Sequence, residues 1–209
     1  DVYKRQGYDS AGLAVRDGEN LAQVVKAKGR LSNLIEKTDG GKALKGTCGI
    51  GHTRWATHGE PSQTNAHPHV SGNCTRSGSG TVESEVVGVH NGIIENFVQL
   101  RDLLESEGHV FKSETDTEVV AHLIEKYYDG DLIDALAHTT EVLQGAYGLA
   151  VMHVDHPGEI AVTRKDSPIV VGLSEGDEPA ALVASDIVAI MDFTRDVVFL
   201  EDGQFALLK

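Results

Sequence analysis

Hydrophobic and polar positions change their spacing along the chain, with short β-like runs near both ends and longer helical stretches between them. Alternating or continuous apolar runs bounded by turn residues indicate strands. They predict strands over residues 11–15, 21–25, 48–52 and 86–89, and again over residues 147–154, 159–164, 169–173, 180–184, 196–200 and 204–208. Short turns join the later runs, which favours antiparallel pairing.

Three helices are predicted in the middle of the chain, where apolar residues recur three and four positions apart. The first follows Asn96 as its N-cap and ends at Gly108. The second begins with Thr115 and Glu118 as a capping box, and the third begins after Asp131 as its cap. This many strands require two packed sheets, and amphipathic helices need sheet faces to cover. The pattern therefore indicates an α+β sandwich.

Composition and charge narrow the class of protein. The chain has 209 residues, of which 40% are hydrophobic, and its 18 Lys and Arg against 32 Asp and Glu give a net charge of −14. Such a surface repels nucleic acid and anionic lipid, which both need clustered cations. No apolar run approaches the ~20 residues that span a bilayer, and no signal-peptide core opens the chain. We therefore expect a cytoplasmic protein without nucleic-acid or membrane partners.

The densest polar segment runs from Gly51 to Gly59 and continues through His69. It holds the only Trp, four of the ten His, and an Arg at the end of an apolar strand, which is where ligand sites are built. A polar turn with Arg54 stacked on Trp55 would explain the pattern equally well. The histidines lack the spacing and the partner carboxylates of a zinc site. Phosphate-binding loops are also absent from the sequence, so we expect neither a metal nor a cofactor.

Two further positions are ambiguous. Asn91-Gly92 is the strongest short signal for a two-residue hairpin turn, and its flanking residues suit one. The same pair could instead form an oxyanion hole from an amide side chain and a closely approached backbone N–H. Asp116 could stabilise the first turn of a helix through its dipole, or it could pair with a ligand ammonium group.

Several ordered motifs together resemble the glutaminase domain, a class II glutamine amidotransferase domain, of the glutamine–fructose-6-phosphate aminotransferases. The main segments are Gly7 to Gly12, His52 to His69, His90 to Asn96 and Glu114 to Glu118, and three shorter ones follow in family order at Gly145 to Gly148, Ser167 to Ile169 and Ala184 to Asp186. The resemblance covers essentially everything after Gln6. It implies an N-terminal-nucleophile hydrolase fold, a four-layer αββα sandwich of two antiparallel sheets.

The resemblance also assigns roles to the ambiguous residues. Arg54 would hold the α-carboxylate of glutamine in a bidentate fork, and Asp116 would pair with the α-ammonium group. Asn91 and Gly92 would stabilise the tetrahedral oxyanion. The rest of the substrate pocket would include Trp55, Thr57 and His58.

The nucleophile that the resemblance implies is an N-terminal cysteine whose own α-amino group is the base. This chain begins at Asp1 instead. Residues 1–6 are interpreted as a non-native start, and residues 7–209 as the domain without its first strand and helix. Cys48-Gly49-Ile50 imitates the family's start but is internal, so Cys48 is expected to be a buried strand thiol. We accordingly expect the chain to be inactive by itself.

For the full-length protein, the resemblance implies sugar-phosphate isomerase domains that use the released ammonia to make glucosamine 6-phosphate from fructose 6-phosphate. It also implies a homodimer. Two alternatives remain open at this point. One is the glutaminase domain of another class II amidotransferase, such as amidophosphoribosyltransferase or asparagine synthetase, and the other is a non-catalytic glutamine-binding module.

Overall fold

The computed structural model describes residues 9–54, 59–71, 86–175 and 179–209. Three of the predicted pocket residues lie outside these ranges, namely Trp55, Thr57 and His58, as does the start at residues 1–6 that was interpreted as non-native. Among the helices of the described ranges, none combines the length and the apolar character that crossing a membrane requires.

Eleven strands and four α-helices form within the described ranges. The strands are β1 (Ser10–Arg16), β2 (Gln23–Lys28), β3 (Cys48–Arg54), β4 (His69–Val70), β5 (Val86–Ile94), β6 (Gly145–His153), β7 (Ile160–Lys165), β8 (Val170–Ser174), β9 (Ala180–Ala184), β10 (Val197–Phe199) and β11 (Phe205–Leu208). The helices are α1 (Leu31–Lys37), α2 (Phe97–Ser106), α3 (Glu118–Tyr127) and α4 (Leu132–Val142).

A five-stranded antiparallel sheet, in the order β11-β7-β6-β5-β4, forms the centre of the molecule. Successive side chains of a strand point to opposite faces, and here both faces are buried. Val86 and Leu149 join the core under α2, α3 and α4. Their neighbours Val87 and Ala150 join a second core on the opposite face. The continuous apolar runs of β5 and β6 are explained by this double burial.

The second core is closed by two three-stranded antiparallel sheets, in the orders β2-β1-β3 and β10-β8-β9. Helix α1 covers the outer side of β1 and β2, where Leu34 packs on Ala11 and Ala27. The layers are therefore helix, sheet, sheet and helix, in agreement with the predicted αββα sandwich. Within the second sheet layer, the edges of β3 and β9 line a groove between its two halves.

The hairpin turn at Asn91-Gly92 was a wrong alternative. Both residues lie inside β5, where Asn91 is opposite Gly148 and Gly92 is opposite Tyr147 on β6. The apolar pair Ile93 and Ile94 continues the strand past the Asn-Gly dipeptide. Pairing along the whole of β6 therefore overrides the local turn preference.

Of the three predicted helix caps, only that of Asp131 forms the predicted side-chain hydrogen bonds. Asp131 caps α4 as predicted, since its Oδ1 accepts hydrogen bonds from two amides of the first turn at 2.8 and 3.0 Å. The capping box of Thr115 and Glu118 is wrong, because Glu118 is already the first residue of α3. Asn96 occupies the N-cap position of α2, but its side chain bonds Val142 O and Gln144 N instead of its own helix.

Candidate functional site

One cavity of about 720 Å³ lies where the ends of β3 and β5 meet the segment that enters α3. Its wall includes Arg54, Asn91, Gly92 and Asp116, which are the four predicted site residues within the described ranges. These residues come from three segments that are far apart in the sequence. The fold thus brings them around a single space large enough for a small ligand.

Arg54 is the last residue of β3 and is only 4% exposed. Its Nη2 donates a hydrogen bond of 3.3 Å to the carbonyl of Gly59. Burial lowers the pKa of Arg54, while the carboxylates of Asp116 and Asp9 act in the opposite direction. A guanidinium remains charged in proteins, so a fixed cation faces the cavity.

Asp116 is also 4% exposed and lies just before α3. Its Oδ2 accepts a hydrogen bond of 2.9 Å from the backbone N–H of Ile94, at the end of β5. The interpretation of Asp116 as a residue of the helix's first turn is therefore wrong, because the helix begins two residues later. The bond to Ile94 instead holds the carboxylate at the cavity wall, beside the strand that carries Asn91 and Gly92.

Gly92 occupies a position that only glycine can take without strain. Its φ is +138°, and a Cβ there would lie 2.1 Å from the carbonyl oxygen of Ala146. Neighbouring Asn91 is exposed at the cavity. An amide side chain and a closely packed backbone therefore stand side by side, which is the arrangement that the predicted oxyanion hole needs.

Three buried residues that also line the cavity, His67, His90 and Thr117, form a closed hydrogen-bond circuit that was not predicted from the sequence. The backbone N–H of His90 donates to Nδ1 of His67 at 3.3 Å, so His67 carries its proton on Nε2. That nitrogen lies 3.3 Å from Thr117 Oγ1, and Thr117 Oγ1 lies 3.0 Å from Nδ1 of His90. Nε2 of His90 faces the carbonyl of Ala146 at 3.4 Å. One assignment of protons satisfies every contact, with both imidazoles neutral.

The electrostatic environment agrees with neutral histidines around the cavity. Burial lowers the pKa of His52 to about 4, and burial lowers the pKa of His67 well below its ordinary value. Burial also lowers the pKa of His90, with Asp116 opposing the shift. Desolvation penalises an imidazolium that lacks a close anionic partner. The charges that the cavity wall offers near neutral pH are therefore concentrated on Arg54 and Asp116.

The side chain of Asn65 joins the polar segment that follows β3 to the segment that carries Asp116. Asn65 donates through Nδ2 to Glu60 O at 2.9 Å and to Glu114 Oε2 at 3.2 Å. Its Oδ1 accepts from the backbone N–H of Glu114 at 3.0 Å. Glu60 and Asn65 are thereby fastened to the segment that carries Asp116. The sequence placed both segments in the site, but no local pattern could indicate that Asn65 joins them.

Cys48 lies in β3 and is 8% exposed, as predicted for a buried strand thiol. Its Sγ lies 3.6 Å from Sδ of Met152, within the core between the sheets. Burial raises the pKa of Cys48, which disfavours the thiolate that a nucleophile requires. It is not among the residues that line the cavity.

A family described as the glutamine amidotransferase domain matches residues 78–192, which is more than half of the chain. The chain belongs to this family. Among curated proteins, it is similar to a glutamine–fructose-6-phosphate aminotransferase (isomerizing) of Thermus thermophilus, at 49% identity over 203 residues. That match covers 97% of this chain and 31% of the relative.

A second relative has the same description. The glutamine–fructose-6-phosphate aminotransferase (isomerizing) of Thermotoga maritima is 46% identical over 204 residues, which are 98% of this chain and 31% of the relative. The chain thus spans about a third of the length of these curated relatives.

Solved structures agree on the fold. The chain is similar to the glutamine phosphoribosylpyrophosphate amidotransferase from B. subtilis, with a TM-score of 0.77 and 27% identity over 96% of this chain and 41% of that chain. A structure described as the allosteric regulatory enzyme of purine biosynthesis matches with a TM-score of 0.76 and 28% identity, at the same coverage of both chains. The N-terminal-nucleophile hydrolase fold predicted from the sequence is confirmed by these likenesses.

Proposed function

We propose that this chain is the glutamine-hydrolysing domain of a glutamine–fructose-6-phosphate aminotransferase. The observation that carries the proposal is the cavity in which a buried guanidinium, a buried carboxylate and an Asn-Gly pair share one wall. Free glutamine presents the complementary groups, namely an α-carboxylate, an α-ammonium group and a side-chain amide. The neutral histidines beside these residues add no competing charge.

Arg54 and Asp116 would read the amino-acid end of the substrate. The planar guanidinium offers two parallel N–H donors to the α-carboxylate, a geometry that an ammonium group cannot copy. Asp116 would accept from the α-ammonium group while Ile94 N–H holds its other side. Arg54 and Asp116 are both buried, and the low local dielectric strengthens the contact of each with the substrate. The pair would therefore separate free glutamine from glutamine side chains within proteins.

Asn91 and Gly92 would act at the other end of the substrate. Attack on the carboxamide carbon converts its carbonyl oxygen into an oxyanion, and donors fixed beforehand stabilise that charge. One such donor is typically worth about 3 kcal/mol. The strand pairing of β5 with β6 would keep the donors in place during the reaction.

The reaction also needs a nucleophile, and no cysteine is among the described residues of the cavity wall. We propose that an N-terminal cysteine outside these residues supplies it. Its thiol would attack the carboxamide carbon, its own α-amino group would accept the thiol proton, and the C–N bond would break with release of ammonia. Water would then hydrolyse the thioester to glutamate and restore the thiol.

The groove between β3 and β9 supports this arrangement. Residues 49–52 of β3 and residues 183–185 at the end of β9 form its sides, and β5 and β6 contribute to its floor. Among the described strands, β3 pairs only with β1 and β9 pairs only with β8. An extended segment between these two edges could pair with both. His52 and Asn91 line the groove and the cavity alike, so one end of such a segment would reach the substrate.

For the full-length protein, we propose that the ammonia serves the conversion of fructose 6-phosphate to glucosamine 6-phosphate on sugar-phosphate isomerase domains outside this chain, in a cytoplasmic homodimer. The name that the relatives carry supports this acceptor. A phosphoribosyl acceptor is the second candidate, because one structural neighbour is named for it. The higher sequence identity to the aminotransferases favours the sugar phosphate.

Two measurements test the proposal. Calorimetric titration of the protein with L-glutamine is expected to show binding, whereas N-acetyl-L-glutamine and L-glutamine α-amide, which each lack one charged end, are expected to bind much more weakly. Equal binding of all three compounds would contradict the roles of Arg54 and Asp116. Glutamate release by the full-length protein distinguishes an enzyme from a non-catalytic glutamine-binding module.

A further inference from the structure

A second group of polar side chains lies away from the cavity, where the chain passes from α2 to α3. It consists of His109, His122 and Glu125, and we name it the α3 triad. Nδ1 of His109 lies 3.1 Å from Nδ1 of His122, and Oε2 of Glu125 lies 3.6 Å from each of these nitrogens. These residues are distinct from the histidines between Gly51 and His69, and no spacing in the sequence predicted that they lie together.

The three distances match the edges of a metal coordination tetrahedron. Bonds of ~2.0–2.1 Å from a zinc ion to nitrogen or oxygen place neighbouring ligand atoms about 3.4 Å apart. The observed separations of 3.1, 3.6 and 3.6 Å lie on both sides of that value. Two imidazole nitrogens and one carboxylate oxygen are also ligands that zinc accepts.

A hydrogen bond between the two imidazoles explains only one of these contacts. A proton on one Nδ1 can be shared with the other at 3.1 Å, but the carboxylate of Glu125 is 3.6 Å from both nitrogens. That separation exceeds the length of a good hydrogen bond. A carboxylate oxygen equally distant from two nitrogens, and beyond hydrogen-bond length from both, is an arrangement that a shared central ion produces.

The surroundings of His122 are those of an oriented ligand. The residue is fully buried, and its second nitrogen, Nε2, lies 3.8 Å from Oε1 of Glu118. Glu118 is itself held by the backbone amides of Lys112 and Ser113, at 2.9 and 2.7 Å. A carboxylate on the far side of a histidine ring is the usual neighbour of a metal-bound histidine, and here it lies beyond hydrogen-bond length from Nε2. The ring of Phe111, 4.4 Å away, packs against the imidazole.

The fourth coordination position faces solvent. A depression of about 210 Å³ opens over the triad and is also lined by residues 107, 108 and 110. The side chains of His109 and Glu125 are 18% and 20% exposed, so an ion can enter from this side. A site with three protein ligands and one water fits this opening.

We propose that the α3 triad binds one Zn²⁺ ion, with a water molecule as the fourth ligand. The ion would fasten the loop after α2 to the middle of α3 and leave the glutamine cavity unchanged. Neutral imidazole nitrogens are required for coordination, so binding would weaken as the pH falls and the histidines take up protons.

The test is calorimetric titration with zinc chloride of protein that carries no histidine tag and has been stripped with a chelator. We expect one ion per chain. His109→Ala and Glu125→Gln each remove one ligand from a partly exposed position, and each is expected to weaken binding at least about 100-fold. Circular dichroism of both variants shows whether they fold.

His138→Ala is the matched control. His138 and Glu141 form a helical pair with the same 3.6 Å separation, but their side chains are 60% and 72% exposed, and the triad does not include them. This variant should bind zinc as the unchanged protein does. Co²⁺ in place of zinc should give the visible absorption of a tetrahedral site, and His109→Ala should abolish it.

Three outcomes would overturn the proposal. They are a folded protein that binds no zinc, a folded His109→Ala variant with unchanged affinity, and an equal loss of binding in His138→Ala. None of these outcomes bears on glutamine binding, because the triad and the cavity share no residue.

Discussion

Arg54 and Asp116 account for the fixed charges of the cavity wall because the histidines beside them are neutral. Their functional interpretation came from resemblance to a family and not from local patterns. Locally, Arg54 could equally have stacked on Trp55, and Asp116 could have stabilised a helix. The burial of the Arg54 guanidinium and the Asp116 carboxylate could not be predicted from the residues, because it depends on strands and loops that are distant in the sequence.

Arg54→Lys in the full-length protein is expected to impair the use of glutamine much more than the stability of the fold. Loss of the bidentate contact should raise the activation free energy that corresponds to kcat/KM by roughly 1–3 kcal/mol. Steady-state kinetics and thermal melting measure the two effects separately. Arg164→Lys, which alters an ion pair with Asp202 outside the cavity, serves as the control. An unchanged kcat/KM together with a lower Tm would make Arg54 a structural residue.

Gly92→Ala is expected to destabilise the protein and to reduce glutamine hydrolysis. A left-handed φ costs an alanine about 1–2 kcal/mol, and here the added Cβ would also meet the carbonyl of Ala146. Gly158→Ala separates the two effects, because Gly158 has a φ of +79° and open space around it. Urea denaturation should show a clearly larger loss for Gly92→Ala. Equal losses would mean that the close approach to Ala146 is unimportant.

At the scale of elements, the spacing of apolar residues predicted most strands and the three longer helices. It did not predict the shortest α-helix or the shortest strand. The predicted run over residues 180–184 coincides with β9. Helix α1 was not predicted: its apolar residues Leu31, Leu34 and Ile35 are spaced as in a helix, but its seven residues are fewer than two full turns and only Leu34 is buried. Strand β4 has two residues and pairs only with β5, so it leaves no signal in the sequence.

Glu118→Gln is expected to destabilise the start of α3 by about 2 kcal/mol near neutral pH, because charge-assisted bonds from Lys112 and Ser113 are lost. Burial alone would raise the pKa of Glu118, but the neighbouring His122 and the hydrogen bonds from Ser113 and Lys112 outweigh burial and lower the pKa to about 2. A lowered folded-state pKa stabilises the protein above the ordinary value of 4.5. That stabilisation is lost as the pH falls towards 2.

The difference in unfolding free energy between the unchanged protein and Glu118→Gln should therefore shrink between about pH 4.5 and pH 2. Urea denaturation with a chelator present measures it without any contribution from metal. Glu105→Gln, at an exposed ion pair with Arg101, should show no comparable dependence. A constant difference across this range would show that the carboxylate of Glu118 is not specially stabilised.

At the scale of the whole molecule, the layer order could be predicted, but the identity of the two strand edges that border the groove could not. Strand count and amphipathic helices require stacked layers, and the family resemblance supplied their order. The separation of β3 from β9 depends on which edges meet in three dimensions. Apolar alternation within a strand contains no information about its neighbour across a groove.

The 209-residue chain is expected to bind glutamine but not to hydrolyse it, because the described residues of the cavity wall include no cysteine. Thermal melting should also be lower or broader than for a protein that includes a strand between β3 and β9, since among the described strands the facing edges of these two have no strand partner. A glutamate-release assay measures the first expectation. Turnover by this chain that Cys48→Ala abolishes would contradict the proposed mechanism.

The circuit through His67, Thr117 and His90 has a consequence for kinetics. Each N–H or O–H group of the circuit donates to one acceptor, beginning with the amide of His90 and ending with the carbonyl of Ala146. Neither ring can gain or pass on a proton without breaking a contact, so the circuit is no relay. A bell-shaped pH–rate profile with its inflections between about pH 6 and 8 would consequently report groups other than these imidazoles. Replacing His67 should lower the height of such a profile without moving its inflections.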